Sequence, residues 1–366
     1  MIKTKNAEID YLLTLLNSAI KGTDAPEGDG VDFDRLLKLA REQQVYTTVL
    51  PVLEKSGALS EEQKKEWNNH RLSELKKTIT VDSERAIICE ELDREKIKYM
   101  FLKGLNIRDY YPKSSMRQMS DNDILYDETR RDDLCRIMKK LGYYIGASGG
   151  ISDDFYKKPY ATFEFHRTLF NPEEEFCPEF DPWVNAKPCS KDSSRYLMSK
   201  EDNYIYAIGH MYKHYYCIDG CGVRFICDLY LLTHSGDELD FDYINKTLSD
   251  FGISDFNKTA LELAEAIFED KEPGESAKEL LDFLFEGGVF GKSSYDIDKE
   301  LEKYGSKSGF ILHRVFPGVE DMKREYRILE EKPLLLPAYY VYRLFDKYKH
   351  NRKYMKRDID ALKNKK

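Results

Sequence analysis

The stretch Met119-Ser120-Asp121-Asn122-Asp123-Ile124-Leu125-Tyr126 decides the fold of this 366-residue chain. We predict that it forms a β-strand, in which side chains two residues apart point to the same face. Asp121 and Asp123 would then direct two carboxylates at one point. Two negative charges so close repel each other unless a cation or a proton lies between them, and hard oxygen ligands suit Mg²⁺. The pair indicates metal-assisted phosphoryl or nucleotidyl transfer, although Asp-x-Asp also occurs as a capping pair in ordinary turns.

The composition is that of a soluble globular protein, with 34% charged and 41% hydrophobic residues. The net charge of −9 argues against a long polyanionic partner such as a nucleic acid, although a local basic groove would still allow one. No apolar run could cross a bilayer, the N-terminus carries no apolar signal core, and the seven cysteines lack the spacing of a secreted scaffold. We therefore expect a cytoplasmic protein with reduced thiols and no membrane partner.

The pattern of apolar residues divides the chain into three parts and indicates an α+β protein. Residues 1–95 show helical spacing, and residues 176–366 are mainly helical, with an irregular, proline-rich start and a basic tail. Residues 96–175 predict a small mixed sheet with an amphipathic helix over 128–141. Its strands are expected at 97–102, 119–126, 143–147 and 160–168. The cleft should lie between this sheet and the C-terminal helices, because pockets favour junctions between domains.

A family resemblance begins with Phe101-Leu102-Lys103-Gly104-Leu105 and continues through Arg117-Gln118-Met119-Ser120-Asp121-Asn122-Asp123-Ile124-Leu125. These two stretches resemble the nucleotidyltransferase fold of the DNA polymerase β superfamily. More closely, the chain resembles a bacterial branch of uncharacterised nucleotidyltransferases, from about residue 96 to residue 343. The motifs of that branch occur here in order: Lys103-Gly104, Tyr111-Pro112, Arg117, Asp121 and Asp123, Glu164-Phe165-His166, and the helical residues His210, His214, Arg224 and Asp228.

The resemblance implies a site for a divalent metal, magnesium or manganese, and for a nucleoside triphosphate such as ATP. Asp121 and Asp123 would hold the metal, with Glu164 as the third ligand and as a base toward the acceptor. The nucleotide would contact Lys103, Gly104, Arg117 and Ser120. The wider superfamily has a serine after the glycine of the first strand. This chain has Leu105 there, so no hydroxyl is available at that position.

Further side chains are expected to line the substrate pocket: His166, His210, His214, Arg224 and Asp228. Together with Cys217 and Cys221, the two helical histidines also have a spacing that suggests zinc, but this spacing matches no zinc module.

Simpler structural interpretations exist for several of these residues. Arg224 and Asp228 lie four residues apart and could form an intrahelical salt bridge. Glu164 could pair with a surface cation across the sheet. The Arg117 guanidinium could pair with the carboxylate of Asp121 or Asp123.

The expected reaction moves a nucleoside monophosphate from a nucleoside triphosphate to an acceptor hydroxyl and releases pyrophosphate. The sequence does not identify the acceptor. It could be a small molecule, or a protein or tRNA modified in a toxin-like or regulatory role. A nucleotide-binding scaffold without catalytic activity is a further alternative.

Overall fold

A computed structural model of the protein describes residues 2–119, 121–149, 151–172, 176–218, 220–236, 238–287 and 328–350, together with isolated positions between 306 and 326. Ser120, one of the predicted nucleotide ligands, lies outside the described residues, as do residues 351–366 of the basic tail.

The N-terminal part is helical, as its apolar spacing predicts. Its helices are α1 (Ala7–Lys21), α2 (Phe33–Glu42), α3 (Tyr46–Ser56) and α4 (Glu61–Arg94). The sequence left open whether the region from residue 61 to residue 94 is one helix or two, and it is one. A capping box starts α4, because Ser60 Oγ accepts from the Gln63 amide and Gln63 Oε1 accepts from the Ser60 amide.

A mixed β-sheet follows, and seven strands belong to it within the described residues. The strands are β1 (Tyr99–Phe101), β2 (Asp123–Tyr126), β3 (Tyr144–Gly149), β4 (Ser152–Lys157), β5 (Ala161–His166), β6 (Lys187–Pro188) and β7 (Arg195–Leu197). Their order is β3-β4-β5-β2-β1-β7-β6. β2 pairs in parallel with β5 and antiparallel with β1, and β1 pairs in parallel with β7. The short helices α5 (Gly104–Ile107) and α6 (Arg131–Lys140) lie between the early strands in the chain.

The predicted α+β fold is therefore confirmed, although three strands were missed. β4 begins with the polar residues Ser152-Asp153-Asp154 and lacks the apolar alternation that marks a strand. β6 lies at the end of the stretch that was predicted to be irregular, β7 lies between that stretch and the next predicted helix, and they are only two and three residues long. β2 starts at Asp123, so Asp121 lies just outside the strand. The sheet extends past residue 175, while the division of the chain into three parts stays a prediction.

After β7, the chain forms helices that cover one face of the sheet. They are α7 (Lys200–Lys213) with a π-helical turn at His214–Ile218, then α8 (Arg224–His234), α9 (Phe241–Asp250), α10 (Ser254–Phe268), α11 (Glu275–Gly287), α12 (Ile328–Glu331) and α13 (Leu336–His350). Within the part of the chain that the structure describes, no helix combines the length and the apolar character needed to cross a bilayer.

Two apolar cores lie on opposite faces of the sheet. Strand alternation sends Met100 and Leu125 into a large core that joins the N-terminal and C-terminal helices, and it sends Tyr99 and Ile124 into a smaller core with α4 and α6. The large core makes the two helical regions one packed unit, and Asn17 Nδ2 donates to the carbonyl of Ile267 across it at 2.7 Å.

Candidate active site

Two neighbouring strands bring the predicted carboxylates together. Asp123 on β2 and Glu164 on β5 are paired in register, and both point to the face that carries the C-terminal helices. His166, two residues along β5, points the same way. Its Nε2 lies 3.0 Å from Asp123 Oδ1 and 3.4 Å from Glu164 Oε1. One ligand atom from each of the three residues lies within 4.8 Å of the other two.

Lys103 supplies a positive charge directly at Asp123. It follows β1 and adopts φ 49°, in the left-handed region that non-glycine residues seldom occupy. Its Nζ donates to Asp123 Oδ1 at 2.7 Å. Burial alone would lower the pKa of Lys103, but the Asp123 carboxylate outweighs it and the net pKa is raised. Burial likewise favours protonated Asp123, but the charge of Lys103 and the hydrogen bond from His166 lower the pKa of Asp123 below its usual value.

The donor set fits a divalent cation. Asp123 and Glu164 offer hard carboxylate oxygens, which suit magnesium and manganese, and His166 offers a ring nitrogen, which suits zinc. His166 Nδ1 is buried and has no hydrogen-bond partner among the described residues. Asp121 lines the same cavity but does not belong to this group of three. It lies exposed at the cavity mouth, where partial desolvation and then the Asp123 carboxylate raise the pKa of Asp121.

The sequence analysis missed a further carboxylate, Asp154. It lies opposite Glu164 in the pairing of β4 with β5 and points to the same face. Burial, followed by the negative charge of Glu164, raises the pKa of Asp154 to about 6. Ser152 on the same strand donates its hydroxyl to Glu164 Oε1 at 2.9 Å. We call Asp123, Asp154 and Glu164 the acidic wall. Recognising β4 as a strand would have revealed Asp154, because strand alternation separates it from Asp153.

Arg117 and Asp228 form a buried ion pair that lines the same cavity. Arg117 Nε and Nη2 donate to the two carboxylate oxygens of Asp228 at 2.8 and 2.6 Å, and the Tyr111 hydroxyl donates to Asp228 at 2.8 Å. Arg117 therefore pairs with neither Asp121 nor Asp123. The ion pair also replaces the intrahelical bridge considered for Asp228, because its cation comes from the loop before β2.

Gly104 allows this arginine to approach the end of β1. A Cβ on Gly104 would lie 2.0 Å from Arg117 Nη1 and 2.8 Å from Met119 Sδ. The neighbouring Leu105 is buried in the smaller core, and its amide donates to the Leu102 carbonyl at 3.1 Å. The absence of a serine at position 105 is thus explained by packing, while phosphate binding by Gly104 stays a prediction.

Arg224, at the start of α8, lies beside this ion pair. Its Nη1 donates to Gln44 Oε1 and, at 3.0 Å, to the carbonyl of Gln118. Its Nε has no partner among the described residues. Burial, followed by repulsion from Arg117, lowers the pKa of Arg224 to about 10, so the side chain is still charged at neutral pH. We call Arg117, Arg224 and Asp228 the arginine wall.

Aromatic rings from α7 and α8 complete the cavity, which has a volume of about 380 Å³. The His210 and His214 rings lie 4.4 Å apart, centroid to centroid, and the Phe225 ring lies 5.8 Å from His210 and 5.5 Å from His214. Burial lowers the pKa of His210 well below its usual value and that of His214 to about 4. Both rings are therefore neutral at pH 7.

The zinc alternative gains no support from the described side chains. His214 Nδ1 donates to the Gly220 carbonyl at 2.8 Å, and Cys221 is a buried free thiol. Neither histidine joins a group of metal-ligating atoms among the side chains that the structure describes. The side chain of Cys217 lies outside that part of the structure.

The cavity thus brings together all the predicted site residues that lie within the described part of the chain. The lining includes Lys103, Gly104, Arg117, Asp121, Asp123, Glu164, His166, His210, His214, Arg224 and Asp228. Sequence analysis placed them in one site from their motifs, but it did not foresee their contacts with each other.

Comparison with known proteins identifies the family. No curated protein matches the chain at a significant level. Among solved structures, the chain is similar to the antibiotic-resistance factor ANT(2'')-Ia, with 15% identity over 50% of this chain and 96% of that one and a TM-score of 0.35. A likeness this distant transfers no residue role. The family model described as uncharacterised nucleotidyltransferase matches residues 29–269, more than half of the chain. The protein therefore belongs to this family of uncharacterised nucleotidyltransferases.

Proposed function

We propose that the protein transfers a nucleoside monophosphate from a nucleoside triphosphate to the hydroxyl of an acceptor. The observation that carries this proposal is the in-register pair of Asp123 and Glu164, which lies in one cavity with His166 and with the buried residues Arg117 and Arg224. Carboxylates on adjacent strands offer the oxygen ligands that a divalent ion needs beside a phosphate chain.

Asp123 and Glu164 would hold Mg²⁺ or Mn²⁺, with Asp121 at the cavity mouth as the further predicted ligand. When bound there, the ion would neutralise phosphate charge and stabilise the charge that develops during transfer.

The chain's own groups would then direct the reaction. The acceptor oxygen forms a bond to the α-phosphorus, the bond from that phosphorus to its bridging oxygen breaks, and pyrophosphate leaves. Glu164 would accept the proton from the hydroxyl, and Lys103 would orient the phosphate that lies closest to Asp123. The neutral rings of His210, His214 and Phe225 would offer a surface against which a nucleobase can stack.

A thermal-shift screen of nucleoside triphosphates, with and without Mg²⁺, tests this proposal together with a labelled-nucleotide assay. We expect a shift in Tm that needs both ligands in the native chain, and the ranking of bases would narrow the donor. In Asp123→Asn the joint shift and the turnover should both fall, turnover by about 100-fold or more. Asp132→Asn, an exposed position on α6, is the matched control. Unchanged turnover and an unchanged joint shift in Asp123→Asn would refute the mechanism.

The same labelled assay, run with cell lysate, would sort the acceptors. Transfer of label to a protein band, to an RNA band or to a small-molecule spot separates the three classes. Nucleotide binding without Mg²⁺ dependence and without turnover would favour a non-catalytic scaffold instead.

A further inference from the structure

Arg224 differs from Arg117 and Lys103, two other cationic side chains of this cavity whose hydrogen-bond partners the structure describes. Arg117 has the Asp228 carboxylate and Lys103 has the Asp123 carboxylate, each within 2.8 Å. Arg224 is only 7% exposed, yet the oxygens that accept from it belong to an amide and a backbone carbonyl. Its Nε lacks a partner among the described residues. Among the described residues, this buried positive charge thus has neutral hydrogen-bond acceptors only.

Such an arrangement is unfavourable for the protein alone. A buried cation without a counter-ion loses its hydration and gains little Coulomb energy in return. The nearby Arg117–Asp228 pair is neutral as a unit, and no carboxylate among the described residues accepts a hydrogen bond from Arg224. An anion that entered the cavity would supply this missing counter-charge and an acceptor for Nε.

The position of Arg224 is held by a strained residue. Gln44 lies in the connection between α2 and α3, is 5% exposed, and has φ 52°. Left-handed backbone at a non-glycine residue is unfavourable and persists where the surrounding structure requires it. Here it directs the amide oxygen of Gln44 at the guanidinium. A carboxylate at this position would have stabilised Arg224 better, but it would also have cancelled the charge.

We infer that Arg224, positioned by Gln44 and the Gln118 carbonyl, binds the outer two phosphates of the donor, which become the pyrophosphate product. This assignment of the anion rests on the proposed function, because the triphosphate is the polyanion which that reaction requires. The arginine wall lines the same cavity as Asp123 and Glu164. A triphosphate whose reacting phosphorus is near Asp123 would therefore share that cavity with Arg224. Arg117, with both carboxylate oxygens of Asp228 engaged, has a structural role in this arrangement.

Calorimetric titration of the full chain with inorganic pyrophosphate, in the presence of a chelator, tests the inference. Arg224→Gln removes the charge and should weaken pyrophosphate binding about tenfold or more. Gln44→Glu retains the arginine but gives it a carboxylate partner, so affinity should fall similarly while Tm is maintained or raised. Ser249→Glu places a negative charge at an exposed site on α9 and should change the affinity less than about threefold, because water and salt screen it.

The outcomes separate this inference from the proposed function. If native protein binds no pyrophosphate, or if folded Arg224→Gln and Gln44→Glu bind it as tightly as the native chain, the inference is wrong, even when Asp123-dependent turnover is present. If pyrophosphate binding depends on Arg224 but no nucleotide is turned over, the anion site stands and the transfer reaction fails.

Discussion

The acidic wall, through Asp123 and Glu164, and the arginine wall line one cavity but balance their charges in different ways. On the acidic wall, Asp123 has Lys103 as a counter-ion, while burial, followed by the negative charge of Glu164, raises the pKa of Asp154 to about 6. On the arginine wall, one guanidinium is fully paired with Asp228 and the other has neutral partners. Each wall thus keeps an excess of its own sign, which a metal and a phosphate chain could neutralise. The comparison indicates that the excess charge on each wall, rather than the ion pairs, shows where ligands are expected to bind.

The test with the largest expected effect removes the ion pair between Arg117 and Asp228 of the arginine wall. Asp228→Asn would leave the Arg117 charge buried without its partner and should lower the free energy of unfolding by about 3–5 kcal/mol. Urea denaturation measures the change. The control is Asp255→Asn, because Asp255 pairs with Lys258 on the surface and should matter by less than about 1 kcal/mol. Equal effects of the two substitutions would show that the buried pair contributes no more than a surface pair.

A second test asks whether the position of the Arg117 side chain requires glycine at position 104. Gly104→Ala should destabilise the protein by about 1–3 kcal/mol, because the new methyl group would overlap the guanidinium. The cost should shrink when Arg117→Ala is present, which a double-mutant cycle would reveal. Gly22→Ala is the control: it has φ 70° and open space, so its cost should not depend on Arg117. Additive effects at Gly104 and Arg117 would contradict the close approach.

The aromatic side of the cavity gives a pH-dependent prediction. Burial lowers the pKa of His214 to about 4, so the unfolded chain takes up this proton more readily than the folded one. The stabilising contribution is present above the unfolded pKa, about 6.5, and is lost as pH falls toward the folded value.

His214→Gln should therefore lose about 1–2 kcal/mol less stability than the native chain between pH 6.5 and pH 4, with allowance for partial exposure. Denaturation curves at several pH values measure the difference. Parallel pH profiles for the two proteins would show that His214 takes up its proton as easily in the folded chain as in the unfolded one.

The smallest expected effect is an increase in stability, and it concerns the acidic wall. Asp154→Asn removes a carboxylate that burial and Glu164 disfavour, so it should stabilise the metal-free protein by about 1 kcal/mol at pH 7. The adjacent Asp153 is the control. It points to the other face, where Arg131 donates to it at 2.8 and 2.9 Å, and Asp153→Asn should destabilise. Destabilisation by both substitutions would argue against an excess of negative charge at the site.

The sequence predicted the acidic side of the site better than the basic side. Asp123 and Glu164 lie in short motifs whose strand periodicity fixes the direction of their side chains, and the structure places them in register. The partners of Arg117 and Arg224 come from elements far away in the chain. No local pattern contains the pairing of Arg117 with Asp228, or of Arg224 with Gln44.

Helices were also easier to predict than strands. The helices α1 and α2 carry several apolar positions at helical spacing, whereas β6 and β7 offer five residues in all. β4 was also difficult to predict, and it carries Asp154 of the acidic wall. Its first residues are polar because one side chain points toward the site and the next toward Arg131, so apolar alternation is absent where chemistry is expected.

The pairing of β1 with β7 determines how this chain can be shortened. β1 is an interior strand, and its residues Tyr99 and Met100 are 1% and 0% exposed. A fragment that stopped near residue 175 would turn β1 into an open edge, and such edges pair with other chains and aggregate. During synthesis, β1 would remain an open edge until residues 195–197 had left the ribosome. A stable minimal fragment must therefore extend at least through β7, well beyond the last residue of the acidic wall.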